Sequence, residues 1–474
     1  MMRCKIVLST FVVFYLLLTS FLALATQLKP TLSGQPQPVG SGEAIHLTLK
    51  QAIDLALKAN RTLVGSAHNL ETQKLSLDIA QSQFDIKLTP STRAAISDGG
   101  ERLGAGVSFK KKFTTGPEAA ITPGFERSDD EYTGNVGLSL DIPLFRGFGK
   151  SVTLDPIYSS RFSIQNAERS HYLSQVNTVL ETVSDAYDII KQRGFVQLSE
   201  SLVKRLMGHA ETARIKEQVG LATQIDVYRA EIRTKDAQNS LALARESLRS
   251  AEDRLKILLA IPPEKKIQIE APLDYTRVQM GEKSAIETAF QNRVELDQAE
   301  ENIREAKRKA GIAKNNLLPG LNLVMDYERF SSPDAFDQAI GLEDQRWSVN
   351  LVASTDWARK AEKASYWQSL INIRNVRLDS ETKEDEIKRE VRQQLEALGK
   401  AEERISIRKD QIHQAKGKLS LSKIKFRHNM ADNFDIIEAE TELQRARVNL
   451  LSVKTDYIVG TYRMRAALGT LIKR

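Results

Sequence analysis

Between Arg214 and Ala260 the chain is built on a seven-residue beat. Val227, Thr234, Leu241, Leu248 and Leu255 mark it, interleaved with Ala230, Ala237, Ala244, Ala251 and Leu258. Shifted by 209 positions, the stretch lies without a gap over Lys423 to Gly469, where Ile436, Leu443, Leu450, Tyr457 and Met464 keep the beat with Ala439, Ala446, Val453, Gly460 and Ala467. Ala222/Ala431, Asp226/Asp435, Ala230/Ala439, Glu231/Glu440 and Leu259/Leu468 are among the identical pairs. A strict seven-residue repeat specifies a left-handed supercoil, and its alanines let helices approach closely. The chain therefore contains two related coiled-coil halves. A weaker echo sets Ala52, Ile53, Ala56 and Leu63 against Ala285, Ile286, Ala289 and Leu296, which extends the duplication toward both N-terminal ends of the halves.

The helical pattern breaks at Thr89-Pro90 and again at Leu318-Pro319, and period two follows each break. Val136, Leu138, Leu140, Ile142 and Leu144 alternate with small or polar residues, as do Leu321, Leu323, Met325 and Tyr327, then Trp347, Val349, Leu351 and Ala353. Leu103, Ala105, Val107 and Phe109 alternate with Gly and basic residues. These read as strands with one apolar and one polar face, which fits a soluble sandwich or a membrane barrel. Trp347 and Trp357 are ten residues apart. On one strand that is about 33 Å, and a tilt of about 40° brings it to roughly the 25 Å between the aromatic girdles of an outer-membrane barrel. The stretch from Gly100 to Gly134 is extra in the first half and reads as an added hairpin or a long loop.

From Tyr158 to Val219 there is no proline. An unbroken helix there would be about 93 Å long and would need lateral partners. The chain divides into a signal peptide at 1–25, a flexible lead-in at 26–46, a first repeat at 47–282 and a second at 283–474. In the first, helices at 47–87 and 151–260 surround strands at about 88–145. In the second, helices at 283–318 and 361–470 surround strands at about 319–357.

Composition narrows the class. Arg3 and Lys5 precede an apolar run ending in Ala23-Leu24-Ala25, the pattern of a cleaved signal peptide, with a retained anchor as the rival reading. Cleavage removes the only cysteine, Cys4, and with it disulfides and thiolate chemistry. It also lowers the formal charge from +7 to +5, with signs interleaved rather than gathered in a basic stripe, so nucleic acid is not an expected partner. No further apolar run is long enough for a membrane helix.

If the strands sit in a membrane, one chain cannot close a barrel, because small transmembrane barrels have about eight strands and open edges are not tolerated in lipid. Several chains must share one barrel. The run Gly220-Leu221-Ala222-Thr223-Gln224-Ile225-Asp226-Val227, the heptads after it, Leu258-Leu259-Ala260, and the junction Ile142-Pro143-Leu144-Phe145-Arg146-Gly147-Phe148-Gly149 resemble the TolC-like outer-membrane efflux proteins. The resemblance implies a mainly α fold with membrane β: coiled-coil hairpins forming an α-barrel, plus four strands per chain in a 12-stranded barrel of a homotrimer. It implies an outer-membrane channel of a tripartite efflux or type I secretion system, a passive duct reaching into the periplasm of a Gram-negative-type cell. Its partners would be a periplasmic adaptor, an inner-membrane pump and outer-membrane lipid. The alternatives are a periplasmic coiled-coil adaptor or a scaffold.

By the same resemblance Asp432, Asp435 and Glu438 would form an acidic ring at the periplasmic aperture. Like charges crowded about one axis bind cations and repel one another. Thr223 with Asp226, and Asp432 with Asp435, also fit capping of a helix N-terminus. Gly220, Leu221, Thr223, Asn429 and Met430 are the hairpin-tip positions for adaptor contact. Asp141, Asn322, Asp326 and Glu328 are candidate lumen residues, although period two alone does not say which face is wet. No catalytic constellation, cofactor motif or metal-ligand spacing is expected, the six histidines being scattered.

Overall fold

The computed structural model describes residues 45–97, 100–128, 131–331, 341–428 and 430–473. The expected signal peptide, nearly all of the lead-in and Asn429 lie outside them. In chain order the elements are β1 (Ile45–Thr48), α1 (Leu49–Ala59), α2 (Arg61–Ser82), β2 (Lys87–Ser97), β3 (Gly100–Lys112), β4 (Glu118–Ser128) and β5 (Glu131–Pro143). There follow α3 (Lys150–Thr153), α4 (Asp155–Gln218), α5 (Gln224–Leu258), β6 (Ile267–Glu270), α6 (Glu282–Asn292) and α7 (Val294–Asn316). The chain ends in β7 (Gly320–Ser331), β8 (Asp344–Ser354), α8 (Lys360–Arg427) and α9 (Asn433–Ala467).

α4 and α8 have 64 and 68 residues, hence lengths of about 96 and 102 Å. α5 folds back along α4, α9 folds back along α8, and α9 also lies against α4. The helices thus rank α5, α4, α9, α8. The seven-residue beat is the reason: Val227, Ala230, Thr234 and Ala237 are buried on α5, as are Ile436, Ala439, Leu443 and Ala446 on α9. At Gly460 the helices pack closely enough that a Cβ there would stand 3.0 Å from Leu398 Cδ2. Being central, α9 is buried on two faces; α5 on only one. Ile437, Glu440 and Gln444 are buried, whereas their counterparts Tyr228, Glu231 and Lys235 are open or half-open.

Nearer the sheet, α2 packs on α4 and α7 packs on α8. Each continues the column of a hairpin helix across a hydrogen-bonded joint. Asn60 caps α2 through its side-chain oxygen on Leu63 N (3.0 Å) and donates its Nδ2 to Leu258 O at the end of α5 (3.0 Å). Arg293 holds the same place in the second half. Its Nη1 donates to Ala467 O (3.3 Å) at the end of α9, and Nη2 pairs with Glu295 and Glu390. Both groups satisfy carbonyls that a helix end leaves unpaired, and Arg293 also complements the negative helix terminus. Beside this joint β1 and β6 pair in parallel over a core that includes Tyr187, Ile189, Leu255 and Ile269.

The remaining strands form one antiparallel sheet in the order β2-β3-β4-β5-β7-β8. This corrects the four strands per chain that the family resemblance implies: the described residues form six. The extra stretch is the hairpin β3–β4, inserted between β2 and β5 in continuous register. Its inner turn is fastened to the strand-to-helix junction, where Gly149 N donates to Thr115 O (2.8 Å). β8 stops at Ser354, so Trp357 lies beyond the strand, 98% exposed, and the two-tryptophan girdle on one strand is not formed. The second junction lacks the Pro-Leu-Phe run and turns instead at Arg359, whose φ is +48° and whose guanidinium donates to Leu317 O (2.6 Å).

The joints give a direct test. Asn60→Ala should lower stability by about 1 kcal/mol, a lost cap and hydrogen bond. Arg293→Ala should cost about 2 kcal/mol, because charged hydrogen bonds are lost from a mostly buried site. Urea unfolding followed by helical circular dichroism measures both.

Candidate functional site

Two surfaces carry the candidate residues: the hairpin tips, far along the helices from the sheet, and the polar face of the sheet.

At the first tip Gly220 takes φ +74° and Leu221 N donates to Lys216 O (2.7 Å), which closes the end of α4. This left-handed position is open to glycine without a Cβ penalty. At the second tip Met430 N donates to Lys425 O (2.8 Å) in the same pattern; Asn429, the counterpart of Gly220, lies outside the described residues. Reciprocal capping boxes open α5 and α9. Asp226 N donates to Thr223 Oγ1 (3.3 Å) and Thr223 N to Asp226 Oδ2 (3.0 Å); Asp435 N donates to Asp432 Oδ1 (2.9 Å) and Asp432 N to Asp435 Oδ2 (3.2 Å). The Thr223 hydroxyl, then its backbone N–H, hold the Asp226 carboxyl below its ordinary range. Asp435 is therefore structural at one oxygen and open at the other.

The two tips of a chain meet. A cleft of ≈ 640 Å³ between them is lined by Leu221, Asp226, Met430, Asp432 and Asp435 among others. Lys216 Nζ stands 3.8 Å over the ring of Phe426, and Asn433 Nδ2 donates to His209 O (2.9 Å). Asp432, Asp435 and Glu438 are all exposed on one side of α9. Glu438 differs from the other two: Lys418 of α8 lies 3.3 Å away and also pairs with Glu442 (2.7 Å). Glu442, then Glu438, raise the Lys418 ammonium above its ordinary value. The described residues place no cation against Asp432 or Asp435.

One functional group escapes sequence reasoning. Glu440 is 2% exposed and bridges three helices, with Arg205 Nε at 3.1 Å and His209 Nε2 at 3.4 Å on α4, and Lys423 Nζ at 3.6 Å on α8. Burial pushes its carboxyl up, but the hydrogen bond and charge of His209, then Arg205 and Lys423, hold it below the usual range. The signal was present in the repeat: Lys423 and Glu440 match Arg214 and Glu231, which pair at 2.6 Å. Only the packing of α9 on α4 turns the second copy into a buried clamp.

In the sheet the register decides which face is which. Leu88, Phe109, Ile121, Leu138, Tyr327 and Trp347 form one row across all six strands. The adjoining row on the opposite face is Lys87, Lys110, Ala120, Ser139, Asp326 and Ser348. Leu88, Phe109, Ile121, Leu138 and Trp347 are exposed, Trp347 at 73%. Apolar patches of this extent on a protein surface mark contact with lipid or another protein. The polar face brings together Asp141, Asn322, Asp326 and Glu328. Asn322 Nδ2 donates to Asp141 Oδ1 (2.8 Å), Asn135 Nδ2 to Glu328 Oε1 (3.1 Å), and Arg346 pairs with Glu328. Charge is divided across this face: Lys87, Arg93, Arg102 and Lys110 sit on β2 and β3, whereas the acids sit on β4 to β8. No helix among the described residues is long and apolar enough to cross a membrane.

A family model described as outer membrane efflux protein matches residues 285–470. The outer membrane efflux protein BepC of Brucella suis is 21% identical over 90% of this chain and 86% of its own length. The probable efflux pump outer membrane protein TtgC of Pseudomonas putida is 23% identical over 89% and 82%. Among solved structures, the outer membrane channel CmeC of Campylobacter jejuni superposes with TM-score 0.71 at 15% identity, covering 94% of this chain and 92% of that one. The outer-membrane channel OprN gives 0.70 at 17% identity, covering 89% and 90%.

The Glu440 clamp is testable by pH. Its folded carboxyl titrates below its unfolded value, so its contribution is full above about pH 4.3 and disappears as pH falls through the depressed folded value. Glu440→Gln should cost about 2 kcal/mol at pH 7, and the gap between variant and parent should close in strong acid. Unfolding midpoints at a series of pH values measure it.

Proposed function

We propose that this chain, which belongs to the family of TolC-like outer-membrane efflux proteins, works as a passive export duct of a tripartite assembly, its sheet in the outer membrane and its helical hairpins reaching into the periplasm. The observation that carries this is the row from Leu88 to Trp347 across all six strands, five of its residues exposed and Tyr327 half-buried, while acids and amides occupy the other face of β5, β7 and β8. Strands of 11 to 13 residues match the length that crosses a bilayer at a tilt of about 45°. With lipid on the apolar side, Asp141, Asn322, Asp326 and Glu328 line the water-filled side. A periplasmic adaptor or scaffold would leave the apolar row without a partner.

A homotrimer fits the internal repeat. Within one chain α9 is covered by α8 on one side and α4 on the other. Among the described residues the matching face of α5, with Tyr228, Glu231 and Lys235, is open or half-open, Glu231 pairing with Arg214 of α4, while α8 presents exposed Ile407 and Leu421 on its outer side. Setting α8 of one copy on α5 of the next repeats the packing already made inside the chain and closes a tube. The tip cleft then belongs to the wall of that tube. Its exposed Leu221 and Met430 support adaptor docking at the tips, with Gly220 and Thr223 shaping the first turn.

In this reading Asp432 and Asp435 supply the negative ring at the periplasmic aperture, and Glu438 a weaker part of it because Lys418 partly neutralises it. The amides Asp435→Asn and Glu438→Gln keep the capping acceptor and remove the charge. The double variant should bind a blocking multivalent cation roughly tenfold more weakly, a loss of about 1.4 kcal/mol. Planar-bilayer conductance measures it, and unchanged block would remove the ring from the mechanism.

A further inference from the structure

The sheet contains more strands than the helical part calls for. Each chain ranks four helices across the wall at any height near the tips, yet six strands at the other end. The additional pair, β3 and β4, is not an appendage. It is hydrogen-bonded to β2 on one side and β5 on the other, so that β2 and β5 no longer touch. Its outward row continues the apolar band through Phe109 and Ile121, and its other face continues the polar side through Lys110 and Thr122. At the membrane-proximal end of the helices the hairpin is tied down twice. Gly149 N donates to Thr115 O (2.8 Å), and Gly116 sits so close to Gly147 O that a Cβ there would be 2.9 Å away.

Among the described residues two edges of the sheet remain open, those of β2 and β8. In lipid neither edge can stay unpaired. The number of strands is even and every pairing is antiparallel, so β2 and β8 run in opposite directions. Another copy of the chain, placed head to tail, therefore offers β8 an antiparallel partner in its own β2, and the all-antiparallel ladder continues through the seam. Both edge strands have 11 residues, so the seam is as tall as the rest of the sheet.

We propose that three copies close an eighteen-stranded barrel, β8 of each paired with β2 of the next, with the β3–β4 hairpin widening the outer-membrane bore and adding a cationic stripe to it. The number of copies rests on the trimeric reading given above; the seam and the six strands per copy do not. Because barrel diameter grows roughly linearly with strand number, the bore is about one and a half times as wide as that of a 12-stranded barrel. Lys87, Arg93, Arg102 and Lys110 then face the water on one sector of each copy, and Asp141, Asp326 and Glu328 on the next. Three basic and three acidic sectors alternate around the wall, an arrangement suited to solutes that carry both signs of charge.

The test is inter-chain cross-linking of the full-length protein in detergent, in a Cys4→Ser background, combined with native mass. Val349→Cys on β8 is paired in turn with Pro90→Cys, Thr92→Cys or Ala94→Cys on β2, and with Ile121→Cys or Phe125→Cys on β4. A short bifunctional thiol reagent bridges neighbours whatever the register. The proposal predicts a three-copy particle that links from β8 to at least one β2 position, up to a covalent trimer on a denaturing gel, and to neither β4 position. A three-copy particle that links β8 to β4 would overturn it, since the hairpin would then lie outside a 12-stranded barrel. So would a three-copy particle with no β8 link to any β2 position. A particle of two copies would overturn the strand number through the trimeric reading instead, and the mass reports that separately from the seam.

Discussion

A backbone N–H or carbonyl in hydrocarbon has no water to fall back on, and leaving one unpaired costs several kcal/mol. Everything at the sheet end of this protein follows from that constraint. The chain presents a tall antiparallel sheet with lipid-type side chains on one face and an edge at each side. Such a surface is unsuited to water because of its apolar face and unsuited to lipid because of its edges. On the proposed reading, other copies supply the missing ladders. The helices pose the same question: among the described residues α5 and α8 each leave one side open where α4 and α9 are covered on both.

The internal repeat explains how one sequence serves both purposes. The heptads give two hairpins that pack alike, and the joints at Asn60 and Arg293 stack shorter helices on them by equivalent carbonyl bonds. The differences between copies lie where the surroundings differ. Glu231 has one partner, Arg214, and stays 39% exposed, whereas Glu440 is sealed among Arg205, His209 and Lys423. A buried clamp of this sort ties the two hairpins of a chain to each other.

Much of this was legible in the sequence. The seven-residue beat with its alanines, the capping pairs Thr223/Asp226 and Asp432/Asp435, and the period-two run from Val136 to Leu144 each correspond to a visible element. The β3–β4 hairpin was legible only in part: period two marks β3, but the stretch stayed open between a hairpin and a loop, for a physical reason. Pro123 and Gly124 sit in the middle of β4, and proline in a central strand removes a ladder bond; no pairing joins Val107 or Ser108 to β4 at that point. The strand survives because β5 pairs with it along its whole length. Trp357 misled in the opposite sense, since its spacing from Trp347 fits a strand that in fact ends at Ser354. At the tips the acids were readable as a group, but Lys418, which separates Glu438 from its neighbours, enters from another helix and no local pattern announces it.

On the proposed assembly, the edges of β2 and β8 are closed by other copies of the chain within a lipid-facing wall. Amide hydrogen exchange of the assembled protein in a lipid bilayer, read strand by strand, tests it most directly. Amides of β2 and β8 should then be protected as strongly as those of β4 and β5, which have partners on both sides within one chain. Fast exchange along β2 and β8, with protection confined to the inner strands, would contradict it.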